Sequence, residues 1–176
     1  MGPAPDQQRY RSVIGHFATG VAVITGRGPD GPVGMTANAL CSLSLDPPLV
    51  LVCFDNASRT FPIVRRAGRF AINLLSHDQD ELSGVFASKM GELEKFSHIP
   101  HQLVEGVPII DGALAWLTCD LNALYPGGDH TIGVGAVIEM GEHSKREPLV
   151  WYRGRYTRLA RGGTGGELAP PGADLV

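Results

Sequence analysis

Four short segments of this 176-residue chain hold the residue types that could bind or transform a ligand. Gly34-Met-Thr-Ala-Asn38 runs into Cys41-Ser-Leu-Ser44 and sets small hydroxyl and amide groups beside glycine. Such side chains offer donors and acceptors together, the mixture that the carbonyl and ring-nitrogen edges of an aromatic heterocycle require. Ordinary strand polarity gives the same letters. Asp55-Asn-Ala-Ser58-Arg59-Thr60 can form a small anion site. If Ser58 caps a helix, free backbone N–H groups point outward where Arg59 and Thr60 also reach. A plain capped helix with a solvated arginine is the equal alternative. Gly127-Gly-Asp-His-Thr131 places His130 where a hairpin turn enters a long strand, and its glycines leave room for a close approach. A turn with an Asx bond from Asp129 and an exposed histidine fits as well. Trp151-Tyr-Arg-Gly-Arg-Tyr156 alternates aromatics and arginines, which suits an anionic aromatic ligand or a closing hairpin with snorkelling arginines.

The familiar catalytic templates are missing. The sequence holds no GxxxxGK[ST], no HExxH and no GxSxG. His98 and His101 have helix-like spacing, but Pro100 between them argues for a solvated loop, so no metal site is expected. Cys41, Cys53 and Cys119 each lie in an apolar strand run and form no CxxC; buried, inert thiols are expected.

These segments need a frame. Asp6 can cap a helix carrying Tyr10, Val13, Ile14 and Phe17 at helical spacing, with Gly20 ending it. Val21–Thr25 and Val33–Asn38 predict a hairpin around Gly28-Pro-Asp-Gly31. Leu40–Leu45 alternates as a half-buried strand, and Leu49–Phe54 is apolar throughout, as in a fully buried one. A short helix over Arg59–Arg66, a strand over Phe70–Leu75 and a helix over Gln79–Phe86 follow. Gly91–Val107 predicts loop, since Pro100 and Pro108 break any period. Gly112–Ala123 and Thr131–Met140 predict two long strands joined through Tyr125–Asp129, and two short strands flank Gly154. Seven or eight strands with a few short helices, and no regular βαβ alternation, predict a mainly β, antiparallel barrel with helices at its ends.

Composition sets the outer limits. The length suits one domain, expected over residues 6–161, followed by a flexible Gly- and Pro-rich tail over 162–176. Hydrophobic residues at 43% exclude a disordered chain. A net charge of −3 gives no field to recruit nucleic acid, and no apolar run suits a membrane span. The start of the chain lacks signal-peptide regions, and three cysteines cannot all pair, so a reduced, cytoplasmic protein is expected.

Taken in order, the segments resemble one family. Phe17-Ala-Thr-Gly-Val21, Val33-Gly-Met-Thr-Ala-Asn38, Ser42 through Cys53, Gly68-Arg-Phe-Ala-Ile-Asn73, Lys95-Phe96, Gly128-Asp-His-Thr131 and Tyr152-Arg-Gly-Arg-Tyr156 are similar to the small flavin reductases that serve two-component monooxygenases. The resemblance covers about residues 9–159. It implies an FMN-binding split β-barrel, a homodimer, hydride transfer from NADH or NADPH to FMN or FAD, and a separate oxygenase partner. It implies that Thr36, Asn38 and Ala39 line the ring system, with Ser42, Cys53 and Asp55 close by. Ser58, Arg59 and Thr60 would take the phosphate, flanked by Phe86 and Lys89. Gly34, His130, Tyr152 and Arg153 would serve the nicotinamide nucleotide, with His130 as the catalytic candidate. Ala39 lacks the hydroxyl many relatives carry and Cys41 replaces a frequent threonine, so contacts there would pass through backbone. A flavin-binding electron carrier without its own nicotinamide site is the competing reading. A pyridoxine-phosphate oxidase-like enzyme has no specific motif in support, and no basic recognition helix suggests a transcription regulator.

Overall fold

The computed structural model describes residues 6–143 and 145–159. The tail expected over 162–176, and the last two residues of the expected domain, lie outside the described residues. In chain order the elements are α1 (Gln7–Ile14), β1 (Thr19–Gly20), β2 (Ala22–Gly28), β3 (Gly31–Ala37), β4 (Leu40–Leu45), β5 (Pro48–Asp55), α2 (Thr60–Ala67) and β6 (Arg69–Leu74). There follow α3 (Asp80–Ala87), α4 (Glu92–Phe96), β7 (His101–Val104), β8 (Val107–Ile110), β9 (Ala115–Gly127), β10 (His130–Glu142), β11 (Val150–Tyr152) and β12 (Arg155–Thr157). No described helix is long and apolar enough to cross a membrane.

Seven strands form one sheet in the order β3-β2-β6-β9-β10-β5-β4, with every neighbour antiparallel. Its two edges, β3 and β4, are consecutive in the chain and separated only by Asn38 and Ala39. Ala37 and Leu40 can therefore stand at most ~11 Å apart. A connection that short forces the sheet to roll until its edges meet at this corner, which makes it an open barrel.

The interior of the roll is apolar. Ala22, Ile24, Val52, Phe54, Phe70, Ile72 and Cys119 are fully buried there, and α2 adds Phe61 and Val64. Phe54 stacks on Phe61 at 5.0 Å and meets the edge of Phe70 at 5.7 Å. Two glycines of β10 make room for these rings: a Cβ on Gly133 would lie 2.6 Å from Phe54, and one on Gly135 2.6 Å from Phe70. The opposite face of β2 builds a second core, where Val21 and Val23 meet Leu75, Phe86, Phe96, Ile110 and Leu149. β2 is thus buried on both sides, which explains its continuous apolar run.

One buried amide ties the two layers. Asn73 is fully buried; its Nδ2 donates to the Val23 carbonyl and to Thr25 Oγ1, each at 3.1 Å, and its Oδ1 accepts the Ile110 N–H at 2.8 Å. Thr25 in turn donates to the Pro108 carbonyl. A side chain with both donors and an acceptor is needed at that position.

Several expectations are corrected. α1 stops at Gly15 rather than Gly20, because Thr19 and Gly20 are drawn out to pair with Trp151 and Val150. The apolar residues on and just after it have no cover among the described residues: Tyr10, Val13, Ile14 and Phe17 are 50–71% exposed. β4 is a strand, yet an exposed edge strand rather than a half-buried one, and Cys41 on it is exposed rather than buried. The segment expected as loop contains α4 and runs into the β7–β8 hairpin; Pro108 is tolerated there because its side of β8 faces away from β7, where only its carbonyl is used, by Thr25. β9 and β10 run on to a two-residue turn, Gly128-Asp129, and short pairs bring the strand count among the described residues to twelve.

Replacing Asn73 by Leu would leave the buried Ile110 N–H without its acceptor and Thr25 Oγ1 without its donor. Urea denaturation should then show stability reduced by about 2–4 kcal/mol. A loss below about 0.5 kcal/mol would show that this amide does not join the layers.

Candidate functional site

A cleft of about 620 Å³ opens along the seam where β3 and β5 face each other unpaired. That size falls within the ~300–1,000 Å³ of small-molecule sites. β3 is an edge, so every second residue turns its N–H and C=O away from β2. At Gly34 both groups are taken by side chains: the N–H by Glu92 Oε2 at 2.9 Å and the carbonyl by Lys95 Nζ at 3.2 Å. Two residues on, the same alternation turns the N–H and C=O of Thr36 to the cleft. The Thr36 hydroxyl donates to the Ser83 carbonyl at 2.7 Å, which holds its side chain against α3.

At one end, backbone and cations converge. Asp55 Oδ1 accepts the Ala57 N–H at 2.8 Å and folds the chain into an Asx turn. Ser58 Oγ accepts the Thr60 N–H at 3.1 Å and contacts Met35 Sδ at 3.3 Å. The helix expected from Arg59 starts at Thr60, with Arg59 itself as the cap residue, and the Ser58 hydroxyl serves its first N–H. The Arg59 guanidinium reaches across the cleft mouth to the Met90 carbonyl and to Glu92 Oε1, 3.6 Å away. Lys95, with a side chain only 4% exposed, ion-pairs Glu92 Oε1 at 3.1 Å. Lys89 stands on the same rim.

Phe86, 2% exposed, lines the cleft beside Lys95, which bonds its carbonyl at 3.4 Å; toward the other end Ala39, Cys53 and Asn38 carry the surface round to His130. Asn38 Nδ2 donates to Thr19 Oγ1 at 3.2 Å. His130 Nδ1 lies 2.8 Å from Asp129 Oδ1, and the hydrogen bond and charge of that ring hold the Asp129 carboxyl below the ordinary carboxylate range. Donation to the Asp129 carboxylate places a ring proton on Nδ1. Burial, helped by the neighbouring Cys41, pushes the Cys53 thiol up. A second cavity of about 240 Å³, walled by Phe17 to Gly20, Leu40 and Leu74, adjoins the cleft at Asn38.

The structure therefore gathers Thr36, Asn38, Ala39, Cys53, Asp55, Ser58, Arg59, Thr60, Phe86, Lys89 and His130 around one cleft. Four expected residues are not in its lining. Gly34 is buried under Phe86, whose ring atoms lie 2.7 and 2.8 Å from where a Cβ would stand; its contribution is to let that ring close. Ser42 sits exposed on β4. Tyr152 and Arg153 belong to the β11–β12 hairpin, where Tyr152 meets His16 edge-on at 6.4 Å and the Arg153 N–H bonds the Gly15 carbonyl at 2.8 Å. Sequence reasoning missed Met35, Ala57, Ser88, Glu92 and Lys95 in the lining. The spacing of Glu92 and Lys95 was a usable signal, since residues three apart pair on a helix.

Comparison with known proteins agrees with this geometry. The family described as the flavin reductase-like domain matches residues 14–160. A flavin reductase of Pseudomonas putida is 41% identical over 89% of this chain and 92% of its own length. The reductase subunit HsaB of a flavin-dependent monooxygenase from Mycobacterium tuberculosis is 42% identical, over 88% of this chain and 83% of its own. Among solved structures, the Streptomyces globisporus NADH:FAD oxidoreductase SgcE6, in complex with NAD and FAD fragments, superposes with a TM-score of 0.85 at 37% identity. It covers 90% of this chain and 96% of that one.

The thiols rank by burial. Burial pushes Cys119 up to about 12, so almost none of it is thiolate at pH 8. Iodoacetamide and peptide mass mapping should find Cys119 unmodified until denaturant is added, and Cys53 modified earlier. Equal rates at the two positions would contradict the packing described.

Proposed function

The chain belongs to the flavin reductase-like domain family, and from that premise we propose that it is an NAD(P)H:flavin oxidoreductase. It would pass a hydride from NADH or NADPH to FMN or FAD and supply the reduced flavin to a separate oxygenase. The observation that carries this is the polarity of the cleft. One end offers the edge-strand backbone of Thr36 and the walls of Ala39 and Cys53 for a flat heterocycle; the other offers the Ser58 and Thr60 hydroxyls and the Arg59 guanidinium for a phosphate.

The residues fit such a ligand. Thr36 presents a backbone donor and acceptor side by side, as the pyrimidine edge of a flavin requires. Ala39 and Cys53 give apolar walls, and Gly34 lets the Phe86 ring pack directly on β3. Ser58, Arg59 and Thr60 surround the position for phosphate, where the α2 dipole adds positive potential. A bound flavin would supply the hydride acceptor, its N5, to the nicotinamide C4. The protein's share is alignment: it turns a two-body encounter into an oriented one. His130, with Nε2 free and its ring fixed by Asp129, would hold the nicotinamide nucleotide. The cavity that adjoins the cleft at Asn38 extends that space toward β1, which pairs with the strand carrying Tyr152.

A homodimer belongs to the same proposal. The apolar face of α1 and the outward side of β4, with Leu43 and Leu45, are exposed in the single chain, and the cleft opens beside β4. A second copy laid on this face would bury it and cover the mouth.

Steady-state oxidation of NADH and NADPH against FMN, FAD and riboflavin tests the activity; no flavin-dependent turnover would leave only a flavin-binding protein. Arg59→Ala should weaken FMN binding about tenfold and leave riboflavin unchanged, measured by flavin fluorescence. His130→Ala should raise KM for NADH about tenfold with FMN affinity within about twofold. The reverse pattern in either variant would remove that residue from its role.

A further inference from the structure

We propose that Glu92 is a built-in counter-charge at the phosphate end of the cleft, one that lowers affinity for a phosphorylated flavin and so lets it exchange. This rests on the flavin reading above and names what regulates that same site.

The carboxylate is poised between the cleft's cations. Its Oε1 lies 3.1 Å from Lys95 Nζ and 3.6 Å from the Arg59 guanidinium, and its Oε2 accepts the Gly34 N–H at 2.9 Å. Lys95 has nothing left to offer: its three ammonium donors go to Glu92, to the Gly34 carbonyl at 3.2 Å and to the Phe86 carbonyl at 3.4 Å. Lys95 is thus a structural charge, satisfied inside the wall. Arg59 is different. Its side chain is 53% exposed, and its link to Glu92 is long enough to break. A phosphate arriving at Ser58 and Thr60 meets an arginine already shared with a carboxylate. It must either draw Arg59 away from Glu92 or sit beside a like charge. Glu92 is only 14% exposed, so water screens that repulsion poorly.

A purely structural ion pair would behave otherwise. Neutralising Lys95 and capping Gly34 need only a carboxylate facing the wall, whereas Glu92 also lines the cleft and reaches Arg59. The charge acts on the phosphate, because the far end of the cleft, from Ala39 to His130, is formed by other residues. An enzyme whose reduced product must leave for a second protein gains from a phosphate contact that nearly cancels.

The test is a fluorescence titration of the full chain with FMN and with riboflavin, which lacks the phosphate. Glu92→Gln keeps the acceptor for Gly34 and removes the charge. It should tighten FMN binding about tenfold, with riboflavin within about twofold. Unchanged or weaker FMN binding, with riboflavin bound normally, would overturn the counter-charge and leave the flavin cleft standing. Failure of the unmodified protein to bind either flavin would overturn the flavin reading and this inference with it. Should the variant not fold, as judged by circular dichroism, the unmodified protein decides. FMN should bind no more than about tenfold tighter than riboflavin, and a larger ratio overturns the proposal.

Discussion

Two residues, Asn38 and Ala39, join one edge of the seven-stranded sheet to the other, and that short connection governs the rest of the molecule. A sheet whose edge strands are consecutive in sequence cannot stay flat. It must roll until β3 and β4 meet at the corner, and the apolar side of the roll becomes a closed core of Phe54, Phe61 and Phe70. Yet β3 and β5 are kept from pairing along the seam. Rolling creates the barrel, and the unpaired seam creates the cleft. Unused edge groups of a strand are a hazard in most proteins because they invite another strand. Here Glu92 and Lys95 occupy the edge at Gly34, and the edge at Thr36 is left facing the cleft.

The seam stays open because the second layer holds it so. β2 serves two cores, and Asn73 fastens β8 to it from below. With β2 fixed, β3 lies at a set distance from α3, and Gly34 lets Phe86 rest directly on the strand. Tyr156 donates to Ser83 Oγ at 2.9 Å, and Thr36 donates to the carbonyl of that same buried serine. The C-terminal hairpin, α3 and the cleft wall are thereby one hydrogen-bonded unit. Precision at the ring end comes from buried polar groups with every partner supplied, which is the condition under which such networks rigidify rather than weaken a core.

Much of this was legible in the sequence. Strand runs such as Leu49–Phe54 and Phe70–Leu75 announce themselves by β-branched and aromatic content, and Gly-Asp at 128–129 marks a tight hairpin. Ser58, Arg59 and Thr60 could be singled out together because a helix start concentrates them in sequence, and the structure gathers them at the cleft. What failed was non-local. Gly34 looked like a ligand position, because nothing in a single sequence shows that Phe86, far along the chain, will lie on it. Glu92 and Lys95 sat in a stretch with prolines and no apolar period, so a five-residue helix went unseen. The helix at the N-terminus ran too long on paper because the pairing of Thr19 with Trp151 is decided at the other end of the chain. Tyr152 and Arg153 are nearer α1 than the cleft lining for the same reason.

On the proposed flavin reading, the two ends of the cleft obey different physics, and that division would let one fold bind a coenzyme and still give it up. At the ring end, recognition is by shape and by fixed backbone dipoles, which cost little to reorganise and hold a flat molecule in register. At the phosphate end, recognition is by charge, and the charges already have partners. Affinity there is a difference between two ion pairs rather than the strength of one. A rigid ring site fixes geometry for transfer between two stacked heterocycles, where distance and orientation set the rate. A compensated phosphate site lowers the cost of departure without disturbing that geometry. Had the cations been unpaired, the same orientation would come with slow release; had they been absent, the phosphate would not find the cleft. Placing Glu92 between Lys95 and Arg59 separates the two requirements, and the seam supplies the space in which both can act.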